Sequence, residues 1–409
     1  MSEWVRAQYH TAPLHPEVKT LRCMVDGDFR RPAIIDMEGR SRLRIDFDLL
    51  GEQQRWLSYR VVHCDADWMP SDISELDYIE GFQPNRLDDV RPSFNTFIAY
   101  YHYSLSFPND QVRLLLSGNY AVEFFEDDAP DEVIAVATFS ISEGGVFIAA
   151  EVSANTDVDY RQRHQQLSCS VSWNLDRMPH LDPASDLRLI VEQDRDILTR
   201  RSIERPSRLS AQSAHYEHIS PLIFLAGNHY RRFEFTDERY VSIGVDQLTY
   251  EPPYYITWLC SDRVRAGASY LYDQDQRGRF LVHALRVEDV DTEADYFKAR
   301  FTLQTPMRWQ NAAVYVDGDM TYDLYDVGNE LHYDEETMSY RGEMLLKQGA
   351  YNYRYVVGDP SDPTSLTASP IEGDHYETPA EYDVRVYYRP PGARYDRLVG
   401  SAVITPNGR

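Results

Sequence analysis

Leu43–Leu50 reads LRIDFDLL. Leu43, Ile45, Phe47 and Leu49 fall on one side of an extended chain, and Arg44, Asp46 and Asp48 on the other. Successive side chains of a strand point to opposite faces, so this pattern predicts a half-buried β-strand. The alternation recurs outward from it. SYRVVHCD follows after a polar turn, then YYHYSLSF, VRLLL, YAVEFF and VIAVATFSIS, separated by FPND, SGN and EDDAPDE. Short strands punctuated by Pro, Asn, Gly and Asp predict an all-β sandwich. LSGNYAVEFFED is similar to the strand near the C-terminus of an Ig or fibronectin-III sandwich, and the first domain is expected to span 1–145.

A second strand series contains VFIAAEVSA, QLSCSVSW, DLRLIVEQD, RRFEFTD, YVSIGVDQL, YYITWLCSD and RFLVHALRV, and predicts a middle sandwich over 146–287. The acidic stretch VEDVDTEADY marks the next boundary. A third series from FKARFTLQT to RLVGSAVIT predicts an early-set-like sandwich over 288–409, with a hairpin in YDEETMSYRGEML. No segment sustains a 3.6-residue period. The expected fold is therefore all-β, as tandem Ig/fibronectin-III-like and early-set-like β-sandwich domains. Tyrosine, at 30 of 409 residues, leans the same way.

Charge narrows the partners. The formal net charge is −25. Phosphate backbones are held through Lys and Arg, so nucleic acid is not an expected partner, nor is an anionic membrane surface. Only Lys19, Lys298 and Lys347 are lysines among the 41 basic residues. An acidic, lysine-poor chain suggests a salty habitat, where self-repulsion is screened. No apolar run reaches the ~18 residues of a membrane span, so no direct insertion is expected. The first residues carry no apolar core of a signal peptide. Cys23, Cys64, Cys169 and Cys260 are scattered without a C-x-x-C, which argues against a zinc ribbon or redox motif and leaves any pairing open.

His63-Cys64-Asp65-Ala66-Asp67-Trp68 gathers residue types of metal sites and nucleophilic catalysis. Strand parity sends His63 and Cys64 to opposite faces, so they do not chelate one ion together. Asp65 and Asp67 are expected to hold the turn that ends the strand, with Trp68 over the open end of the sandwich. The following loop, Met69 to Phe82, is richer in apolar side chains than a solvated loop needs. Trp68, Tyr78, Ile79 and Phe82 are therefore the candidate partner-binding residues.

Other constellations are weaker. Asp273-Gln274-Asp275-Gln276-Arg277-Gly278 begins like a calcium loop, but Arg277 and Ala284 stand where oxygen ligands are needed. His215-Tyr216-Glu217-His218 has its glutamate misplaced for a zinc helix. Asp289, Asp291, Glu293 and Asp295 alternate, as in a solvated acidic face. G-x-S-x-G, G-x-x-x-x-G-K-[ST] and G-x-G-x-x-G are absent. The expectation is a non-enzyme with no catalytic residue, metal or cofactor.

Five ordered blocks carry a resemblance. HCDADWMPSDISELDYIEGF, SFNTFIAYYHYSLSFPN and SGNYAVEFF resemble the N-terminal domain of the type IX secretion system plug protein family. AGNHYRRFEF is similar to its agNEfRrFd segment, with His229 replacing an acidic residue. DQDQRGRF is similar to its D-x-NGrF turn, with Arg277 in place of Asn. LLKQGAYNYRYVV, SPIEGDHYETPAEYDVRVYYRP and ARYDRLVGSA resemble its C-terminal signature. The resemblance implies a periplasmic, all-β, non-enzymatic protein, monomeric when free, with any signal peptide removed. Its partner is implied to be the giant outer-membrane translocon β-barrel, whose periplasmic mouth it seals. NAAVYVDGDMTYDLYDVG and the segments after it are also similar to glycogen-binding modules. On that alternative the protein binds carbohydrate, with Tyr322 and Tyr325 as the stacking platform.

Overall fold

In the computed structural model, residues 8–174, 178 and 181–406 are described. Of the N-terminal stretch read for a signal peptide, Met1 to Lys19, the first seven residues lie outside them. Among the described residues the regular structure is almost all β, and the three α-helical segments are four residues each.

LRIDFDLL forms a strand, Leu43–Leu50, between Val18–Val25 and Tyr100–Phe107 in a four-stranded sheet completed by Asp89–Pro92. Register pairs Ile45 with Leu105 and Phe47 with Tyr103. The facing sheet centres on Leu57–Cys64, Gly118–Glu126 and Val133–Ser142. Phe47 crosses the gap to Phe124, with ring centroids 5.0 Å apart. Tyr59, Val61, Tyr103, Tyr120 and Val122 complete this core. The strands of this first sandwich end at Ser142.

The middle sandwich starts with Val146–Ser153 and His164–Trp173. Its second sheet has the order Arg201–Ile203, Leu187–Gln193, Tyr382–Tyr388, Arg397–Ile404. The two C-terminal strands thus close the middle sandwich. Everything from Arg231–Phe235 to Gly349–Gly358 builds a separate ten-stranded sheet. That sheet folds back on itself, so Phe233 on its first strand meets Phe301 at 5.6 Å.

This corrects the division into 146–287 and 288–409: the third unit is inserted into the middle one. Alternation marks each strand but not its distant partner. Tyr382–Tyr388 pairs with Leu187–Gln193 across nearly two hundred residues of intervening chain. The expected hairpin is present, with Glu330–Asp334 returning as Ser339–Lys347 and Asp334 opposite Ser339.

Asp46 and Asp48, expected on a solvated face of Leu43–Leu50, are 0% and 1% exposed. The inserted unit covers them. The acidic run Asp289–Asp295 is likewise no free surface. Asp291 accepts from Arg22 and Arg44, Asp289 pairs with Arg91, and Asp295 accepts the backbone N–H groups of Phe97 and Ile98.

Candidate functional site

The strand Leu57–Cys64 and the turn after it carry the six residues that invited a metal reading. His63 points into the first core. Its Nδ1 lies 2.8 Å from Ser71 Oγ and its Nε2 3.0 Å from the Ser117 carbonyl, beside the rings of Tyr78, Tyr120 and Tyr395. Burial lowers its pKa. Cys64 faces the other way, packed with Ala121 and Val136. Burial pushes its thiol far above the range of a reactive thiolate. All four cysteines are free. Asp65 Oδ1 accepts from the N–H groups of Asp67 at 2.9 Å and Met69 at 3.0 Å, and so holds the turn. Among the described residues, no group of three or more His, Cys, Asp and Glu is arranged to hold a metal ion.

The turn is also the joint between the first and middle sandwiches. Ala66 N–H donates to Asp396 at 2.8 Å, Arg200 donates to the Ala66 carbonyl, and Asp67 pairs with Arg188. Asn119 donates to the Asp65 carbonyl and accepts from the Tyr387 hydroxyl, each at 2.8 Å. Gly118, at φ +126°, lies under this contact, and a Cβ there would come within 2.8 Å of both the Asp396 carbonyl and His63 Nε2. The blocks HCDADW, SGNYAVEFF and ARYDRLVGSA, far apart in sequence, therefore meet in space.

The candidate binding residues separate. Tyr78 is 7% and Ile79 4% exposed. Both belong to the first core, and the Tyr78 hydroxyl donates to the Val61 carbonyl. This corrects their assignment to a binding surface. Trp68 is partly buried against the cluster of Cys64, Ala121 and Val136, on the outer face of the sheet, so it does not cover the sandwich end. Phe82 alone is open, at 89% exposure.

Tyr322 and Tyr325 do not form a sugar platform. Tyr322 is packed against the first sandwich core, and Tyr325 donates to Asp317 and meets Tyr315 edge-on at 5.7 Å. Asp275, the calcium-loop candidate, accepts from Tyr230 N–H, Arg277 N–H and His229. His218 pairs with Asp157 at the surface, and His215 sits on the short strand Ser213–Tyr216.

Two features went unread in the sequence. The first is a polar cluster between the first sandwich and the inserted unit. Lys347 Nζ lies 2.6 Å from Asp48, donates to the Asp291 carbonyl at 2.7 Å and stands 4.2 Å above the Tyr100 ring. Tyr296 donates to the same carboxylate, and His102 Nδ1 is 2.7 Å from its other oxygen. Burial pushes the Asp48 carboxyl up, but Lys347 and His102 outweigh it and hold it below its usual range. Burial lowers His102, yet Asp46 and Asp48 together raise it overall. The second is an aromatic patch of Phe94, Phe97 and Tyr250, which are 70%, 55% and 48% exposed. The two phenylalanines of SFNTF in a polar loop were its only signal.

Residues 18–143 match the model of the type 9 secretion system plug protein 1st domain. A crystal structure of a hypothetical protein from Parabacteroides merdae ATCC 43184 superposes with a TM-score of 0.92 at 37% identity, covering 97% of this chain and 99% of that one. The chain belongs to the type IX secretion system plug protein family. A Pseudomonas fluorescens alkylpurine DNA glycosylase (13% identity, 31% and 30% covered) and a Staphylococcus aureus collagen adhesin (6%, 96% and 93%) reach TM-scores of only 0.17 and 0.13, and carry no argument. No curated protein matches the chain. Membership in the plug protein family points to a role associated with the type IX secretion machinery and to a periplasmic or envelope-associated location. Among the described residues, no helix is long and apolar enough to cross a membrane. No enzymatic family is indicated.

Proposed function

We propose that this protein plugs the periplasmic mouth of the giant outer-membrane translocon barrel of the type IX secretion system. Membership in the plug family carries the reading. The physics supports it. A wide barrel encloses an aqueous lumen that leaks unless filled. A plug must resist deformation as one body. Here ion pairs tie each unit to the next: Asp67–Arg188 joins the first and middle sandwiches, Lys347–Asp48 the first and the inserted unit, and Arg354–Asp196 the inserted and the middle. The two chain crossings at the insertion give the last joint a covalent tie on both sides.

The test is carried out in the source cells. Deleting the gene is expected to raise outer-membrane permeability to a large hydrophilic solute, and restoring it to reverse the leak. Tagged protein from detergent extracts is expected to recover the barrel, identified by mass spectrometry. An intact permeability barrier in the deletion strain, with no barrel recovered, overturns the reading.

A further inference from the structure

The strand Val245–Glu251 ends the path of the ten-stranded sheet and pairs with Tyr254–Leu259 alone. Among the described residues its other side has no strand partner. Soluble proteins blunt such edges, because open N–H and C=O groups template pairing with another chain. The other long edge strands are covered. Val18–Val25 abuts the inserted unit through Thr20 and Arg22. Val146–Ser153 and Arg397–Ile404 lie beside each other. Along Val245–Glu251, by contrast, Asp246, Gln247, Tyr250 and Glu251 are all exposed.

The aromatic patch adjoins this edge. Phe97 lies 5.9 Å from Tyr250 and 5.1 Å from Tyr255, and the two tyrosines are 4.9 Å apart. The approach to the strand adds Tyr240 and Ile243, 65% and 51% exposed. The patch is also held in place. Asp295 accepts the backbone N–H groups of Phe97 at 2.6 Å and Ile98 at 3.1 Å, while Phe94 N–H donates to the Thr292 carbonyl at 2.9 Å. The loop backbone that presents Phe94 and Phe97 is thus already ordered, which reduces the entropy lost when the patch is covered.

We infer that the free edge of Val245–Glu251, with Phe94, Phe97 and Tyr250, docks an extended segment of a partner protein as an added strand. The form of the occupant follows from the edge, whose backbone groups are met in series only by another extended chain. Its apolar side chains cover the aromatic patch. Its flank beside Asp246 is basic, because that carboxylate stands exposed at the edge on a chain of net charge −25, whereas Glu251 at the other end already pairs with Arg300. This rests on the plug reading and places the barrel contact at the seam between the first sandwich and the inserted unit.

The full-length tagged protein is compared with Phe97→Ser/Tyr250→Ser, with Phe94→Ser as a second probe, and with Phe147→Ser as a control exposed on the middle sandwich. Barrel recovery from detergent extracts is expected to fall about tenfold or more for the patch variants and to stay unchanged for the control. Amide hydrogen exchange over 245–251 is expected to slow in the recovered complex. Equal recovery by wild type and patch variants overturns the inference and leaves the plug reading standing, and reduced recovery without slowed exchange overturns strand addition. A wild-type protein that recovers no barrel overturns both. Self-association of the purified protein that the patch variants abolish makes a second copy the occupant and also overturns the inference.

Discussion

Lys347 is one of three lysines in the chain and is 1% exposed. An ammonium suits this site. It meets Asp48, the Asp291 carbonyl and the Tyr100 ring from one compact centre, where a planar guanidinium needs more room. The arrangement makes its removal costly for a specific reason. Lys347→Met leaves the buried Asp48 carboxylate without its strongest partner, and the expected loss is roughly 3–5 kcal/mol in denaturant titration. Adding Asp48→Asn removes the stranded charge and is expected to recover a large part of that loss. A double variant as unstable as the single would show that Lys347 acts through packing alone. Parity in LRIDFDLL located Asp46 and Asp48 on the face away from the core. Nothing local says that a unit encoded two hundred residues later lies over that face.

At the level of elements, the end of the strand Leu57–Cys64 was legible because it rests on local rules. Period-two geometry separated His63 from Cys64, and aspartate chemistry predicted a held turn. Asp65→Ala removes the acceptor for two backbone N–H groups and weakens the platform on which Ala66 and Asp67 meet the middle sandwich. A loss of about 1–3 kcal/mol is expected, with limited proteolysis cutting first between the first and middle sandwiches. Unchanged proteolysis would mean that Asn119 and Arg188 hold this joint without the turn. The loop beyond was misread for a physical reason. Tyr78, Ile79 and Phe82 look alike in composition, but the short pairing of Ile79–Gly81 with Val112–Leu114 turns the first two inward and leaves Phe82 at the tip. Which residues of an apolar loop are core is settled by that non-local pairing.

For the whole molecule, individual strands were readable while their assembly was not. Interruption of the middle sandwich leaves no mark in hydrophobic period, because strands before and after the insertion alternate alike. The charge distribution follows from the assembly. Several arginines that meet carboxylates across the joints are shielded from water, as with Arg22, Arg279 and Arg354. Part of the excess acidity, 66 acidic against 41 basic residues, is buried, since twelve Asp and Glu are buried against only Arg279 and Lys347 among the described residues, and the rest is carried by the outer surface. Salt acts differently on the two populations. Raising ionic strength from 0.1 to 1 M shortens the Debye length from about 10 to about 3 Å, which screens repulsion between exposed carboxylates but hardly reaches buried pairs. Relief of self-repulsion in the compact state then exceeds the loss from exposed ion pairs, each of which is worth at most about 1 kcal/mol. The expected result is a rise of roughly 2–8 °C in the thermal midpoint between 0.1 and 1 M potassium chloride, equivalent to about 1–2 kcal/mol for units of this size. A midpoint that falls over that range would mean that exposed ion pairs, such as Arg86–Asp127 and Arg113–Glu80, outweigh the net charge.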